Sequence, residues 1–394
     1  MSEHWIYITA LVSGCLVIWV LVGYPLMAAV MCGLFRRRHG PRYRLHTQPS
    51  VSVIVAAHNE AHNIARRLQN ILEQDYPEDR LEVIVVCDGC SDETADVAAE
   101  FDNVTVLELR NRQGKASALN EGVAMAQGEV LVLTDARPLF EKDAIRNLVE
   151  CLFTERAGVA SGVLKLVAPA GRPRGSDLYW RMETALLGWE SGWVSASGCC
   201  GPITAVRSSV WAPIPRDTIN EDEYLALQSV RRDWRVVQTP HAVAWDRAPH
   251  SYAVEFARKT RTSHGNWQLW SRWRWVRLPR RNRLWFQFLS HRLGRLLLPW
   301  LLLIFVASAL ATGINWLVTT AYIVLAVVGV GLLGLMLPGL GRWLPGVGVL
   351  SSFVLMMGAA MAGWWRFVRN MPGQLWESSP IEQIEAVPER RRVG

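Results

Sequence analysis

The chain has 394 residues and a formal net charge of +7, with 50% hydrophobic residues and a mean hydropathy of +0.11. That length holds one catalytic domain of roughly 200–250 residues together with membrane spans. The basic clusters flank apolar runs and no nucleic-acid module signature is present, so the charge balance points to an anionic membrane face rather than to a nucleic-acid partner. Seven scattered cysteines show no disulfide framework, which reads as a cytosolic, reduced domain.

Residues 5–33 carry no charge and are long enough to cross about 30 Å of hydrocarbon. The run is too long for a signal-peptide core. The basic stretch 35–44 that follows places the next segment on the cytoplasmic side by the positive-inside rule. From 49 to about 246, strand and helix patterns alternate. Strands are expected at 51–57, 81–87, 104–109, 130–134, 158–167 and 236–245. Helices are expected at 59–74, started by Asn59 as N-cap, and at 91–101, 115–126 and 177–190, with a further helix pattern opening at Asn220. Alternation at this spacing implies an α/β domain with a mostly parallel sheet. Residues 255–287 interleave Arg with Trp, as suits helices lying in the headgroup region; binding of single-stranded nucleic acid is the alternative, disfavoured by the segment's place directly before a span. Three apolar segments follow near 296–311, 316–337 and 347–368. The first is short and contains Pro299, which fits a tilted or re-entrant segment. Three full spans would put the C-terminus outside, whereas Arg366, Arg369 and the arginines at 390–392 favour the inside. The expected organisation is an N-terminal transmembrane helix (1–34), a cytoplasmic catalytic domain (49–254), interfacial helices (255–292), C-terminal transmembrane helices (293–370) and a tail (371–394).

Acidic residues recur just past the strand ends. Asp88 follows the second strand, Asp135 the fourth, and Asp222 sits in Asn220-Glu221-Asp222-Glu223. Carboxylates at strand ends face the crevice where open α/β sheets bind ligands. Asp88 reads as a nucleobase acceptor or as an Asx turn. Asp135 reads as a Mg²⁺ or Mn²⁺ ligand completed by substrate phosphates and water, or as a loop residue. Asp222 reads as a general base or as ordinary acidic bias at a helix start. Ala56-Ala57-His58-Asn59-Glu60 offers small residues for a base or ribose, or simply a helix cap. Arg110 to Lys115 is not a Walker A loop, yet two cations and Gly114 before a helix make an anion site. Cys87-Asp88-Gly89-Cys90 is formally a C-x-x-C. Alone it supplies no four-ligand zinc site, and it encloses an Asp-Gly pair, so it reads as a turn, with a redox or metal role as the lesser alternative.

Together these segments resemble the inverting family 2 glycosyltransferases of GT-A fold, in the membrane branch that includes the cellulose, chitin, hyaluronan and poly-N-acetylglucosamine synthases. The resemblance covers roughly 51–268. Residues 53–60 resemble the family's first strand, ending in Asn-Glu, and imply donor contacts at Ala57, Asn59 and Glu60. Residues 86–94 resemble its Asp-Asp-Gly-Ser-x-Asp-x-Thr motif, with Cys87 in place of the first Asp and the base-contacting Asp kept as Asp88. Gly114-Lys115-Ala116-Ser117-Ala118-Leu119-Asn120 resembles a segment beside the nucleotide. Asp135-Ala136-Arg137 stands where the family has D-x-D. Asp135 is then the implied metal ligand, while Arg137 cannot bind metal and would meet the diphosphate directly. Tyr179-Trp180-Arg181-Met182-Glu183 resembles a Tyr-Trp-x-x-Glu helix. Gly201 to Arg207 resembles an acceptor-side segment, which implies Gly201, Arg207 and Glu221 on that side. Asp222 matches the catalytic base. Arg258-Lys259-Thr260-Arg261-Thr262 resembles a degraded Q-x-x-R-W motif, implying Arg258 and Arg261 at the donor. Its missing Trp counts against processive polymerisation.

The expectation is a multi-pass cell-membrane enzyme with a cytoplasmic catalytic domain. It would move a sugar from a nucleotide-sugar donor, by resemblance a UDP-sugar, to a glycan or lipid acceptor with Mg²⁺ or Mn²⁺ as cofactor. Membrane lipids and an export component are its expected partners. A non-catalytic subunit of a polysaccharide export complex is the alternative, against which the set Asp88, Asp135, Asp222 and Arg261 argues.

Overall fold

The structure is a computed structural model. It describes residues 2–35, 48–153, 157–167, 175–248, 251–337, 339–340, 344, 346–373, 384 and 387–388. The basic stretch 36–44 and most of the tail, including the arginines at 390–392, lie outside the described residues. The chain divides into two compact units: Met1–Phe35, Ala170–Leu186 and Pro249–Pro372 form one, and Arg36–Pro169, Leu187–Ala248 and Gly373–Gly394 the other.

The second unit is built on an eight-stranded sheet. Its strands are Val51–Ala57 (β1), Leu81–Asp88 (β2), Val104–Leu109 (β3), Val130–Asp135 (β4), Leu139–Phe140 (β5), Ala157–Val167 (β6), Thr204–Arg207 (β7) and Arg235–Arg247 (β8). Their spatial order is β3-β2-β1-β4-β7-β6-β8-β5. β1, β2, β3 and β4 are mutually parallel, β6 is parallel to β8, and β7 runs antiparallel between β4 and β6. The mostly parallel, helix-flanked sheet is the expected α/β class. Every residue of β1 is buried, as a parallel strand covered on both faces requires. Val53 and Val55 pack with Ile64, Leu68 and Ile71 of Ala61–Leu72 (α3) and with Ile145 and Leu148 of Ala144–Leu152 (α6). On the other face Lys115–Met125 (α5) lies so close that a Cβ at Gly122 would stand 2.6 Å from Ile54 Cγ2 and 2.9 Å from Val86 Cγ2.

The six strands read from periodicity are present, with ends moved by one or two residues. β5, β7 and α6 were not anticipated: β5 and β7 have two and four residues, too few for an alternation to register. The N-cap assignment to Asn59 is corrected. Asn59 has a left-handed backbone (φ 53°), and its Oδ1 accepts from the Ser91 N–H at 2.8 Å. The start of α3 is satisfied from across the fold instead. Thr94 Oγ1 accepts from Glu60 N–H at 2.8 Å, and Asp92 Oδ2 from Ala61 N–H at 3.1 Å. Asp92 also accepts from Thr94 N–H, so Thr94–Ala99 (α4) starts three residues later than periodicity predicts.

The first unit holds helices long and apolar enough to cross a membrane: His4–Phe35, Trp285–Thr312, Asn315–Met336 and Val347–Val368. Large side chains such as Leu26, Leu303, Ile323 and Leu333 are exposed on them, which suits a lipid environment and not water. The segment expected at 296–311 to be short is the end of a 28-residue helical run. Pro299 sits inside Gly294–Thr312 and does not interrupt it. Gly14 on the first helix packs against Phe305, and a Cβ there would meet its ring at 3.1 Å. The helix Tyr252–Arg272 (α9) lies on Val347–Val368, with Trp267 stacked on Phe367 at 6.2 Å. Glu183, from the Tyr-Trp-x-x-Glu segment, accepts from His291 and Arg292 at 3.2 Å each and pairs with Arg295. Burial pushes its carboxyl up, and Arg295, His291 and Arg292 together outweigh that and hold it well below the ordinary carboxylate range. The Tyr179 side chain lies outside the described ones.

Because Ile54 and Val86 belong to the central sheet and cannot retreat, Gly122→Ala is expected to destabilise the chain by about 1–3 kcal/mol through overpacking. A lowered denaturation midpoint of the detergent-purified protein checks it.

Candidate active site at the carboxyl ends of the parallel strands

The strand order places β1 between β2 and β4, so the chain leaves β1 to one side for β2 and β3 and returns on the other side with β4. A crevice opens at such a switch point, outside the carboxyl ends. Register puts Cys87 beside Ala57 and Ala56 beside Asp135. Asp88 and Asp135 therefore flank the end of β1, roughly 10 Å apart at two inter-strand spacings.

Asp88 is fully buried. Its two oxygens accept from Gln113 N–H at 2.6 Å and Gly114 N–H at 2.7 Å. It thereby fixes the turn at Gly114, whose φ of +93° suits glycine, and so sets where α5 begins. His58 Nδ1 lies 2.7 Å from the Asp88 carbonyl.

Lys115, the first residue of α5, joins the site. Its Nζ is 2.7 Å from Asp135 Oδ1 and 2.7 Å from Glu221 Oε1. Burial alone would favour the neutral amine, but these two carboxylates more than offset it and keep the lysine charged. α5 grips the following loop again through Asn120, which donates to the Ile214 carbonyl at 2.7 Å and accepts from Ile214 N–H at 2.8 Å.

Asp222 opens the helix Glu221–Arg231 (α8). Burial first, then Glu221 and Glu223, push its carboxyl up to about 7, against the pull of Lys115 and the Glu223 N–H. Gly201 is at contact distance, since a Cβ there would stand 3.3 Å from Asp222 Oδ2. Lys115, Gly201, Glu221 and Asp222 line one small crevice, closed behind by Leu119, Leu133, Ile214 and Leu225.

Glu60 lies at the same edge, hydrogen-bonded by Asn63 at 2.6 Å. Burial raises its carboxyl to about 7 despite Asn63 and Arg137, with Asp135 and Asp246 adding to the rise. Arg137 Nη2 is 3.4 Å from Asp246 Oδ2. Asp246 is the residue that sequence reading missed. It follows the apolar run of β8 just as Asp88 and Asp135 follow theirs, so the same strand-end rule finds it. Among the described residues no three His, Cys, Asp or Glu side chains gather as a metal cluster.

Arg207 lies elsewhere. It pairs in register with Val130, at the far end of β4 from Asp135, about 17 Å away at 3.3–3.4 Å per residue. Its guanidinium donates to the Ala157 and Leu152 carbonyls at 2.8 Å each, closing the end of α6. The acceptor-side expectation for Arg207 is thus corrected: β7 runs antiparallel, which brings Gly201 to the site edge and carries Arg207 away. Arg258 and Arg261 sit on α9 in the first unit, where Arg258 covers the Trp180 ring at 5.1 Å.

Residues 52–211 match the family described as Glycosyl transferase family 2, and the chain carries a domain of that family. It is 30% identical over 272 residues to a probable glycosyltransferase, YdaM, of Bacillus subtilis, covering 63% of this chain and 64% of that one. It is 26% identical over 232 residues to the poly-beta-1,6-N-acetyl-D-glucosamine synthase of Staphylococcus epidermidis, covering 55% and 54%. The chain thus spans between about half and two thirds of the length of these curated relatives. A mannosyltransferase, PcManGT, from Pyrobaculum calidifontis, solved with GDP-Man and Mn²⁺, shares the fold. Its TM-score is 0.70 at 23% identity, over 92% of this chain and 99% of that one.

Removing the shared cation leaves two carboxylates facing each other. Lys115→Met is expected to cost about 3–5 kcal/mol, as when one partner of a buried pair is lost. Chemical denaturation against the parent chain measures it, and a loss under 1 kcal/mol would show that the bridge is dispensable to the fold.

Proposed function

We propose, from the family 2 glycosyltransferase domain the chain carries, that it transfers a sugar from a nucleotide-sugar donor to an acceptor hydroxyl with inversion at the anomeric carbon. The observation that carries this reading is the Lys115 bridge. It ties Asp135, on the donor side, to Glu221, the neighbour of a carboxylate with a raised affinity for protons.

In this reading Asp222 takes the proton from the acceptor hydroxyl as that oxygen attacks, and a base poised near neutral pH suits the task. Gly201 keeps the space beside Oδ2 free for the incoming oxygen. Asp88 holds the Gly114 turn, and Glu60 and Asn59 line the donor side. Lys115 and Arg137 offset charge on the departing diphosphate. Asp135 fits a divalent cation in a limited sense: Mg²⁺ and Mn²⁺ on a diphosphate are commonly held by one or two carboxylates, with phosphate and water completing the shell. Such a cation would neutralise negative charge on the leaving group. The resemblance favours a uridine donor, while the solved fold relative holds GDP-Man, so both bases belong in the test. The similarity to a polysaccharide synthase and the four long apolar helices support a glycan or lipid acceptor at a membrane, with the catalytic unit cytoplasmic.

Detergent-purified chain is expected to release nucleoside diphosphate from one donor in a panel of UDP- and GDP-sugars, and loss of that release in EDTA would support the metal assignment. Asp222→Asn is expected to lower turnover by about 10²- to 10⁴-fold, and a folded variant with full activity would overturn the base assignment.

Turnover should rise with pH through about 7 as Asp222 ionises. Stability moves the other way. The folded pKa lies above the ordinary 3.8, so this group's contribution is full below about 4 and is lost as pH rises through about 7. Paired pH profiles of rate and melting midpoint, for the parent chain and Asp222→Asn, read both slopes.

A further inference from the structure

The turn between β2 and α4 departs from the family pattern twice, and both departures are cysteines. Where the family has Asp-Asp-Gly-Ser, this chain has Cys87-Asp88-Gly89-Cys90. The structure brings the two thiols together. Cys87 is buried at the end of β2, 1% exposed, and opposite Ala57 in register. Gly89, at φ +60°, reverses the chain, and a Cβ there would stand 2.4 Å from Arg112 N. The reversal returns Cys90 to the same point: its thiol donates to the Ala57 carbonyl at 3.7 Å, and it packs against the buried cluster that holds Cys87.

The two sulfurs are not equivalent. Cys90 is half-buried and Cys87 closed off. The neighbouring Cys87 pulls Cys90 down to about 7, with further help from the Asn59 backbone and Thr94, against burial and Asp92. Cys90 and burial in turn push Cys87 far up. Cys151 and Cys200 are instead pushed up to about 12 by burial. The arrangement pairs an accessible thiolate with a resolving thiol, as reversible disulfide chemistry requires.

We propose that Cys87 and Cys90 are a modification site that closes into a reversible intramolecular disulfide by exchange with a low-molecular-weight disulfide. The Cys90 thiolate attacks one sulfur of the small disulfide and expels the other as thiolate, leaving a mixed disulfide on Cys90. Cys87 then attacks the Cys90 sulfur, its proton passing to the departing small thiolate, which leaves as the second small thiol. Two protein thiols are oxidised, and one small disulfide is reduced to two thiols. The bond encloses Asp88, whose carboxylate holds Gln113 and Gly114 and hence the position of Lys115. Closure therefore acts on the donor side of the site. The chemistry is independent of the functional reading; only its effect on turnover rests on that reading.

The test equilibrates the full-length, detergent-purified chain with oxidised glutathione, then alkylates and maps the thiols. The expected result is loss of two of the seven thiols, recovered as one peptide linked between Cys87 and Cys90, two hydrogens lighter and restored by dithiothreitol. Cys87→Ser should trap glutathione on Cys90, and Cys90→Ser should show no link and no adduct at Cys87. Both cysteines fully alkylated after equilibration, or glutathione persisting on Cys90 in the parent chain, would overturn the proposal. Should Cys87→Ser fail to fold, the parent chain's peptide map decides alone. A linked chain with unchanged donor turnover would confirm the modification and remove its effect on the site.

Discussion

One lysine holds the site of this chain together. Lys115 places a single ammonium between Asp135, at the end of β4, and Glu221, at the start of α8. Bringing two carboxylates out of water onto one crevice is costly unless a cation is fixed between them. That cation must come from an element that reaches both strand end and helix start, and α5 does so because its first residue is the lysine. The helix start is in turn set by Asp88 holding the Gly114 turn, and the loop before α8 is held by Asn120. The chain of dependence runs from a buried aspartate through a turn and a lysine to the carboxylate that lies beside Glu221.

The charge pattern around this bridge separates two kinds of carboxylate. Asp135 and Glu221 each have a lysine nitrogen at 2.7 Å. Asp222 and Glu60 lie beside other acids in partly dry surroundings, and both are pushed up to about 7. The site therefore sets acids that share one ammonium beside acids poised to exchange a proton, and perturbed carboxylates of the second kind are commonly found where groups must do chemistry. The first unit uses a buried acid differently. Glu183 gathers His291, Arg292 and Arg295, and there the acid joins two helices and keeps no proton.

The thiol pair sits on the same line of dependence. Cys87 and Cys90 enclose Asp88, so any change in the turn passes to Gly114 and Lys115 along hydrogen bonds that already exist. A turn that sets the start of α5 is a place where a small covalent change reaches Lys115 through the backbone hydrogen bonds of Asp88.

Much of this was legible in the sequence. The long parallel strands show as buried apolar runs, and the strand-end rule finds Asp88 and Asp135 because a carboxylate after such a run faces the crevice whatever the rest of the fold does. The long spans show by length and hydropathy alone. What periodicity could not supply was strand direction. β7 has four residues and runs antiparallel, which brings Gly201 to the site and carries Arg207 to the other end of the sheet. Asp246 obeys the strand-end rule, but its meeting with Arg137 depends on β8 running parallel to β6 at the far side of the sheet. Asn59 looked like a cap by local pattern, yet tertiary contacts from Asp92 and Thr94 satisfied the helix start first. Local chemistry and spacing are written along the chain. Which distant groups share one cation, one turn or one crevice is decided only when the sheet closes, because those contacts join residues tens to more than a hundred positions apart.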